Sequence, residues 1–144
     1  MLSVEKIKTI NSELLQAVQR LFPQLTTTSP IPTEASLLEI INSEASSLWI
    51  AKNEDDQIIG MLCLVIYRTP SGVHARIEDV VVDQKARRQG AAAQMTTAAI
   101  EYASQSGAKA INLTSRPERG AANQLYQSLG FELVDTNVYR KKLV

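Results

Sequence analysis

The sequence predicts an α/β (α+β) fold, with a mixed, mostly antiparallel central sheet of six to seven strands flanked by about four helices. Three observations predict it. Strand-like and helix-like segments alternate in the order β-α-α-β-β-β-α-β-α-β-β, which calls for a sheet covered by helices. The run Ile77-Glu78-Asp79-Val80-Val81-Val82 is rich in β-branched residues and enters a small-residue turn, from which the helix-forming stretch Ala91 to Tyr102 departs. The strands on either side of that helix, Val73–Val82 and Ala110–Thr114, are then joined by a parallel crossover. Such a crossover is where α/β sheets bind ligands.

Each element has its own signal. Val4 to Ile7 is a short first strand. Asn11 or Ser12 caps a helix whose apolar positions Leu14, Leu15, Val18, Leu21 and Phe22 follow helical spacing, and Pro23 is expected to close it. Thr26 to Pro32 is a loop, after which Thr33 caps a second helix carrying Leu37, Leu38, Ile40 and Ile41, with Glu34 in its first turn. Leu48–Ala51 and Ile58–Tyr67 form a hairpin around the polar turn Asn53–Gln57, and Thr69-Pro70-Ser71-Gly72 turns the chain into the Val73–Val82 strand. The next helix stops at Gly107, a good left-handed terminator. Ala110–Thr114 is a strand, Gly120–Leu129 a helix ended by Gly130, and Phe131–Val134 and Val138–Lys141 are expected as closing strands.

Composition narrows the function. A chain of 144 residues is expected to be one domain, spanning 1–144. Fifteen basic and fifteen acidic residues cancel, which disfavours nucleic acid as the main partner. One cysteine, Cys63, and one histidine, His74, allow neither an internal disulfide nor a Cys- or His-based metal site, so no metal is expected. Cys63 lies in the apolar run Met61 to Ile66 and is expected as a buried structural thiol. No apolar stretch approaches a membrane span and no targeting segment is visible, so a cytoplasmic protein without membrane partners is expected.

The stretch Arg87-Arg88-Gln89-Gly90-Ala91-Ala92 carries the chemistry. The first N–H groups of a helix have no intrahelical acceptor and attract anions, phosphates above all. Gly90 lets a ligand approach the backbone, and Ala91, Ala92 and Ala93 keep bulk away. Lys85, Arg87 and Arg88 add positive charge. On these residues alone, diphosphate binding and an ordinary strand-to-helix turn with solvated arginines stand level.

The element order with this turn resembles the GNAT superfamily of acetyl-CoA-dependent N-acetyltransferases. Its signature Q/R-x-x-G-x-G/A is matched by Arg87-x-x-Gly90-x-Ala92, preceded by Val80-Val81-Val82-Asp83 like the family's hydrophobic strand and acidic turn. Ala122-x-x-Leu125-Tyr126-x-x-x-Gly130-Phe131 is similar to the family's A-x-x-L/F-Y-x-x-x-G-F segment. The resemblance covers roughly residues 48 to 142 and implies an acyl-CoA N-acyltransferase-like fold. Ala92 replaces the commoner glycine, and Arg119 stands where many members have asparagine. The first 45 residues, which shape the acceptor site in this family, match nothing specific.

The resemblance implies that acetyl-CoA is the acyl donor, its pantetheine pairing with the backbone of Val80 and Val82 around Val81. Its diphosphate would rest on the amides from Arg88 through Gln89 and Gly90 to Ala93, with Arg87 and Arg119 near its phosphates. An alkylammonium has a pKa of about 10.4, so presenting it as a free amine at pH 7 costs about 4–5 kcal/mol. Glu78 is the candidate base, and strand alternation places it on one face with Val80 and Val82, opposite Asp79. The alternative is that Glu78 merely pairs with a neighbouring arginine. Tyr126 aligns with the family's tyrosine that hydrogen-bonds the departing sulfur; otherwise it packs its helix on the sheet. Trp49 is expected in the core, Tyr67 and Tyr139 in strand packing or an acceptor-site wall.

The expected activity is acetyl transfer from acetyl-CoA to a primary amine of a small molecule or peptide, directly in a ternary complex. A non-catalytic acyl-CoA-binding sensor is the alternative, and it would need neither Glu78 nor Tyr126. A nucleotide-binding protein lacks any glycine-lysine phosphate-loop motif. A homodimer is left open.

Overall fold

A computed structural model describes all 144 residues. Their elements are β1 (Ser3–Lys6), α1 (Ser12–Leu25), α2 (Glu34–Ile41), β2 (Ser46–Lys52), β3 (Ile58–Thr69), β4 (Gly72–Val82), α3 (Ala91–Gln105), β5 (Ile111–Asn112) and α4 (Gly120–Ser128), with a single 3-10 turn at Gln84–Ala86. Met1–Thr114 and Ser115–Val144 form two compact units.

The first unit holds the whole sheet, in spatial order β1-β2-β3-β4-β5. Pairing is antiparallel from β1 to β4 and parallel between β4 and β5. The sheet therefore has five strands, not six to seven. The two missing ones are Phe131–Val134 and Val138–Lys141, which carry no regular structure. Leu133, Val134, Val138 and Tyr139 are all exposed there. β-branched and aromatic residues fit a pleated surface, but a strand exists only where a neighbouring ladder takes its backbone groups, and these residues pair with none.

Helix starts follow the capping chemistry. The Asn11 side chain accepts from the Leu14 N–H at 2.8 Å and so caps α1. Thr33 and Ser36 form a reciprocal capping box on α2. Pro23 does not close α1, which runs on to Leu25. Only the acceptor at Gln19 loses its partner to the proline, and Gln19 is exposed to water. Gly107 ends α3 as expected, at φ +92°, with Ala108 and Gly107 donating back to the carbonyls of Ala103 and Ser104.

Both sheet faces are covered. Leu14, Val18 and Leu21 of α1 and Leu37 of α2 bury against Leu48, Ile50, Met61 and Val81. On the other face Met95 and Ala99 of α3 are fully buried, and Gly60 leaves room for the Met95 methyl, which lies 3.0 Å from where a Cβ would sit.

Candidate functional site

The site begins with a fault in β4. Register pairs Cys63 with Glu78 but Met61 with Val81, so β4 carries one extra residue there. The fault is a β-bulge, and Asp79 sits in it at φ +53°. Asp is among the few residues that tolerate this left-handed region.

The bulge overturns the face assignment drawn from simple alternation. Met61 and Cys63 are two apart on β3 and share a face, so their partners Val81 and Glu78 share it too. That face packs on α1, where Val81 and Met61 join the core. Val82 falls opposite Gly60, on the α3 face. Glu78 and Val82 therefore lie on opposite faces, because one extra residue reverses a period of two.

Around Glu78 stand Arg76, Cys63 and Asp79. The Arg76 guanidinium pairs with the Glu78 carboxylate, and both side chains are partly exposed. Arg76 also reaches the Thr114 hydroxyl at 3.5 Å. Partial burial, reinforced by the carboxylates of Asp79 and Glu78, pushes the Cys63 thiol up to about 11. It stays a neutral thiol at physiological pH, as a structural cysteine should. Partial desolvation, then the neighbouring Glu78 charge, raises the Asp79 carboxyl above its ordinary value.

Beyond the bulge β4 has an open edge. Its parallel ladder with β5 consists of Ala75–Ile111 and Arg76–Asn112 only. From Ile77 to Val82 no β5 residue pairs with it, which leaves backbone groups around Val80 and Val82 free along that edge.

β4 then feeds the turn at Arg87–Gly90. Arg88 lies at φ +67° and Gly90 at φ +85°, two left-handed residues that coil the chain into the start of α3. No side chain caps α3, and its first intrahelical bond comes from Gln94 N–H to the Gly90 carbonyl. The amides of Ala91, Ala92 and Ala93 therefore point out of the helix end unpaired. Arg87, Arg88, Gln89 and Gly90 are exposed, whereas Ala91 is buried and Ala92 and Ala93 half-buried.

Two residues that local sequence patterns did not single out brace this turn. The Gln24 side chain accepts from the Gln84 N–H at 2.9 Å, and Arg20 lies 3.5 Å from the Asp83 carboxylate while donating to the Ile58 carbonyl. Asp83 in turn accepts from the Lys85 N–H. The links to Ile58, Asp83 and Gln84 join α1 to residues 38 to about sixty positions away and have no local sequence signature.

In the second unit, Arg119 is the residue before α4, and it is exposed. Gly130 at φ +93° ends α4, with Gly130 and Phe131 donating to the carbonyls of Gln127 and Tyr126. The Tyr126 and Phe131 rings meet edge to face at 5.7 Å, the apolar contact that commonly closes such a helix end. The Tyr126 ring thus packs on Phe131 within its own unit, while its hydroxyl makes no hydrogen bond. Burial raises the phenol's pKa, partly offset by the Arg119 charge.

Elsewhere, Trp49 is buried, Tyr67 stacks on His74 near the surface and Tyr139 is exposed. No helix is long and apolar enough to cross a membrane. No three His, Cys, Asp or Glu side chains gather as metal ligands.

A bulged, half-open β4 thus leads into an uncapped, glycine-started helix. Residues 12–131 match the acetyltransferase (GNAT) family, and the chain belongs to it. It is 35% identical over 104 residues to a mycothiol acetyltransferase of Renibacterium salmoninarum, an alignment covering 71% of this chain and 31% of that protein. The chain thus spans about a third of that relative's length. It is 33% identical over 103 residues to an uncharacterized N-acetyltransferase, YhfO, of Bacillus subtilis, covering 69% of this chain and 67% of that one. The solved structure of AAC(6')-Iy in complex with the bisubstrate analog CoA-S-monomethyl-acetylneamine superposes with a TM-score of 0.79 at 22% identity, covering 100% of this chain and 99% of that one.

Proposed function

We propose that this chain transfers an acetyl group from acetyl-CoA to a primary amine, directly, with both substrates bound together. The observation that carries this reading is the continuity of the open β4 edge with the uncapped α3 terminus. A pantetheine arm pairing with Val80 and Val82 would lead its diphosphate onto the amides from Arg88 to Ala93. The left-handed Arg88 and Gly90 help aim those amides outward, and Lys85, Arg87 and Arg88 supply charge to match the phosphates. Arg119, at the start of α4, is a further candidate for a phosphate contact.

In this reading Glu78 takes a proton from the acceptor ammonium, directly or through water. The free amine attacks the thioester carbonyl, the C–N bond forms as the C–S bond breaks, and the proton left on the acylated nitrogen passes to solvent or to the departing sulfur. The electron pair leaves on the CoA sulfur, and a hydrogen bond from the Tyr126 hydroxyl stabilises it. A phenol is a weaker acid than a thiol, so donating a hydrogen bond suits Tyr126 better than surrendering its proton. The acceptor is a small molecule or a peptide amine; proteins that share this fold include aminoglycoside acetyltransferases.

Two measurements test this. A thiol-release assay with acetyl-CoA and a panel of amines should show amine-dependent release of free CoA. Acetyl-CoA binding without release for any amine would leave the sensor reading in place. Calorimetry with acetyl-CoA on a folded Gly90→Val protein should show affinity lost, because a β-branched residue resists the left-handed turn and crowds the backbone approach. Unchanged affinity would remove the cradle from this site.

A further inference from the structure

The first unit carries a second concave site that the acetyl-transfer reading does not use. At the end of the sheet where β2 begins and β3 ends lies a cavity of about 680 Å³. Arg68 lines it, and Arg68 pairs with Val73 at the beginning of β4, while the cofactor turn follows Val82 at the other end. Ser106, just past the end of α3, also lines it, and a helix of that length separates Ser106 from Gly90 by about 24 Å. The volume falls within the usual range for small-molecule pockets.

Its charge is lopsided. Lys6, Lys8 and Arg68 line it against a single acid, Glu44, so three positive charges less one negative leave +2 in a chain whose net charge is zero. None of the three cations makes an ion pair, whereas Arg20, Lys52 and Arg76 all do. Cations converging on a concave surface concentrate a positive potential that an anion relieves.

The arrangement is also braced. Lys6 Nζ donates to the Tyr102 hydroxyl at 3.0 Å and stands 4.8 Å from that ring's centre. The Tyr102 ring meets Trp49 edge to face at 5.4 Å. Trp49 donates to the Ser47 hydroxyl at 2.9 Å, and Ser47 to the Leu64 carbonyl at 3.4 Å. The Tyr102 oxygen accepts from Lys6 and its own proton has no acceptor, so it can donate to a ligand. Ile41, Ile66 and the Tyr67 ring supply apolar wall.

We propose that this cavity binds a small organic oxyanion, a carboxylate or phosphate monoester with an apolar body, whose head group is held by Lys6, Arg68 and the Tyr102 hydroxyl. The site is separate from the diphosphate turn and binds independently of it. Trp49, the chain's one tryptophan, reports on it through Tyr102.

Titrating phenyl phosphate, benzoate and inorganic phosphate while following Trp49 fluorescence and heat tests this. Phenyl phosphate or benzoate should bind one to one and change the emission, and the tighter of the two identifies the preferred head group. Binding should weaken at least about tenfold in Lys6→Met/Arg68→Gln, and also on raising salt from about 50 to 300 mM. Arg87→Ala/Arg88→Ala should bind as the parent does. Should Lys6→Met disturb folding, Lys8→Gln/Arg68→Gln alters only exposed side chains and should weaken binding in the same direction. The proposal fails if neither organic anion binds at millimolar concentration, or if inorganic phosphate binds as tightly as both. It also fails if the arginines of the turn, and not the cations of the cavity, govern affinity.

Discussion

Arg76 holds the carboxylate of Glu78 on the α1 face of β4, and that ion pair alone would justify an acid at this position. Its size decides how the two roles separate. The side chains are 36% and 42% exposed, and ion pairs this open to water contribute about 0–1 kcal/mol. Losing the pair is therefore a small stability effect, whereas losing a general base is a large kinetic one. Glu78→Gln should lower kcat/KM at neutral pH by about 10²–10⁴, with partial recovery as higher pH supplies free amine. A variant with parental rates across the pH range would hand the proton to water or another group. Tyr126 divides in the same way. Its ring closes the end of α4 against Phe131, and its hydroxyl has no partner. Tyr126→Phe keeps the ring, so kcat should fall by about 10- to 10³-fold while acetyl-CoA affinity and melting temperature hold. Tyr126→Ala should lose stability as well. A Tyr126→Phe protein turning over at the parental rate, with chemistry rate-limiting, would make the residue purely structural.

The elements were largely legible because their signals are local. Asn11, Thr33 and Gly107 end or begin helices through bonds made within a few residues, and each does so where the sequence placed it. The β4 bulge was not legible. A lone Asp79 inside a β-branched run does not by itself announce an extra residue, and the fault emerges only from pairing with β3. Gln24 and Arg20 were equally silent, since their partners lie far along the chain. The bulge has a measurable cost. The Asp79 carboxyl titrates above its ordinary value of 3.8, so the folded chain keeps a proton that the unfolded chain has already released. Between those two values stability falls as pH rises, and above them the full cost is present. Asp79→Asn removes the charge and suits the same left-handed backbone. It should melt higher than the parent at pH 7, and the gain should vanish as pH falls below about 4. A gain that persists in acid would mean that the backbone, not the charge, sets the cost.

At the scale of the molecule, the sequence pattern and the structure part company after α4. Phe131–Val134 and Val138–Lys141 carry the β-branched and aromatic residues that strands favour, yet no residue from 132 to 144 makes a backbone hydrogen bond to another. Propensity records what a segment can pair with, and whether an edge receives it depends on the rest of the chain. The two outcomes differ in a quantity that can be read residue by residue. Amides in a ladder exchange only when the ladder opens, so β3, paired on one side by β2 and on the other by β4, should exchange slowest. Amides from 132 to 144 should exchange at nearly unprotected rates, reaching completion at the earliest time points of a hydrogen-exchange mass spectrometry series. Phe131 should exchange more slowly than its neighbours, because its N–H donates to the Tyr126 carbonyl at 3.0 Å. Protection of alternate amides across 131–134 and 138–141, comparable to that of β3, would show that these residues form the two strands their pattern predicts. Acetyl-CoA should be titrated into the same experiment to see whether that protection depends on the donor.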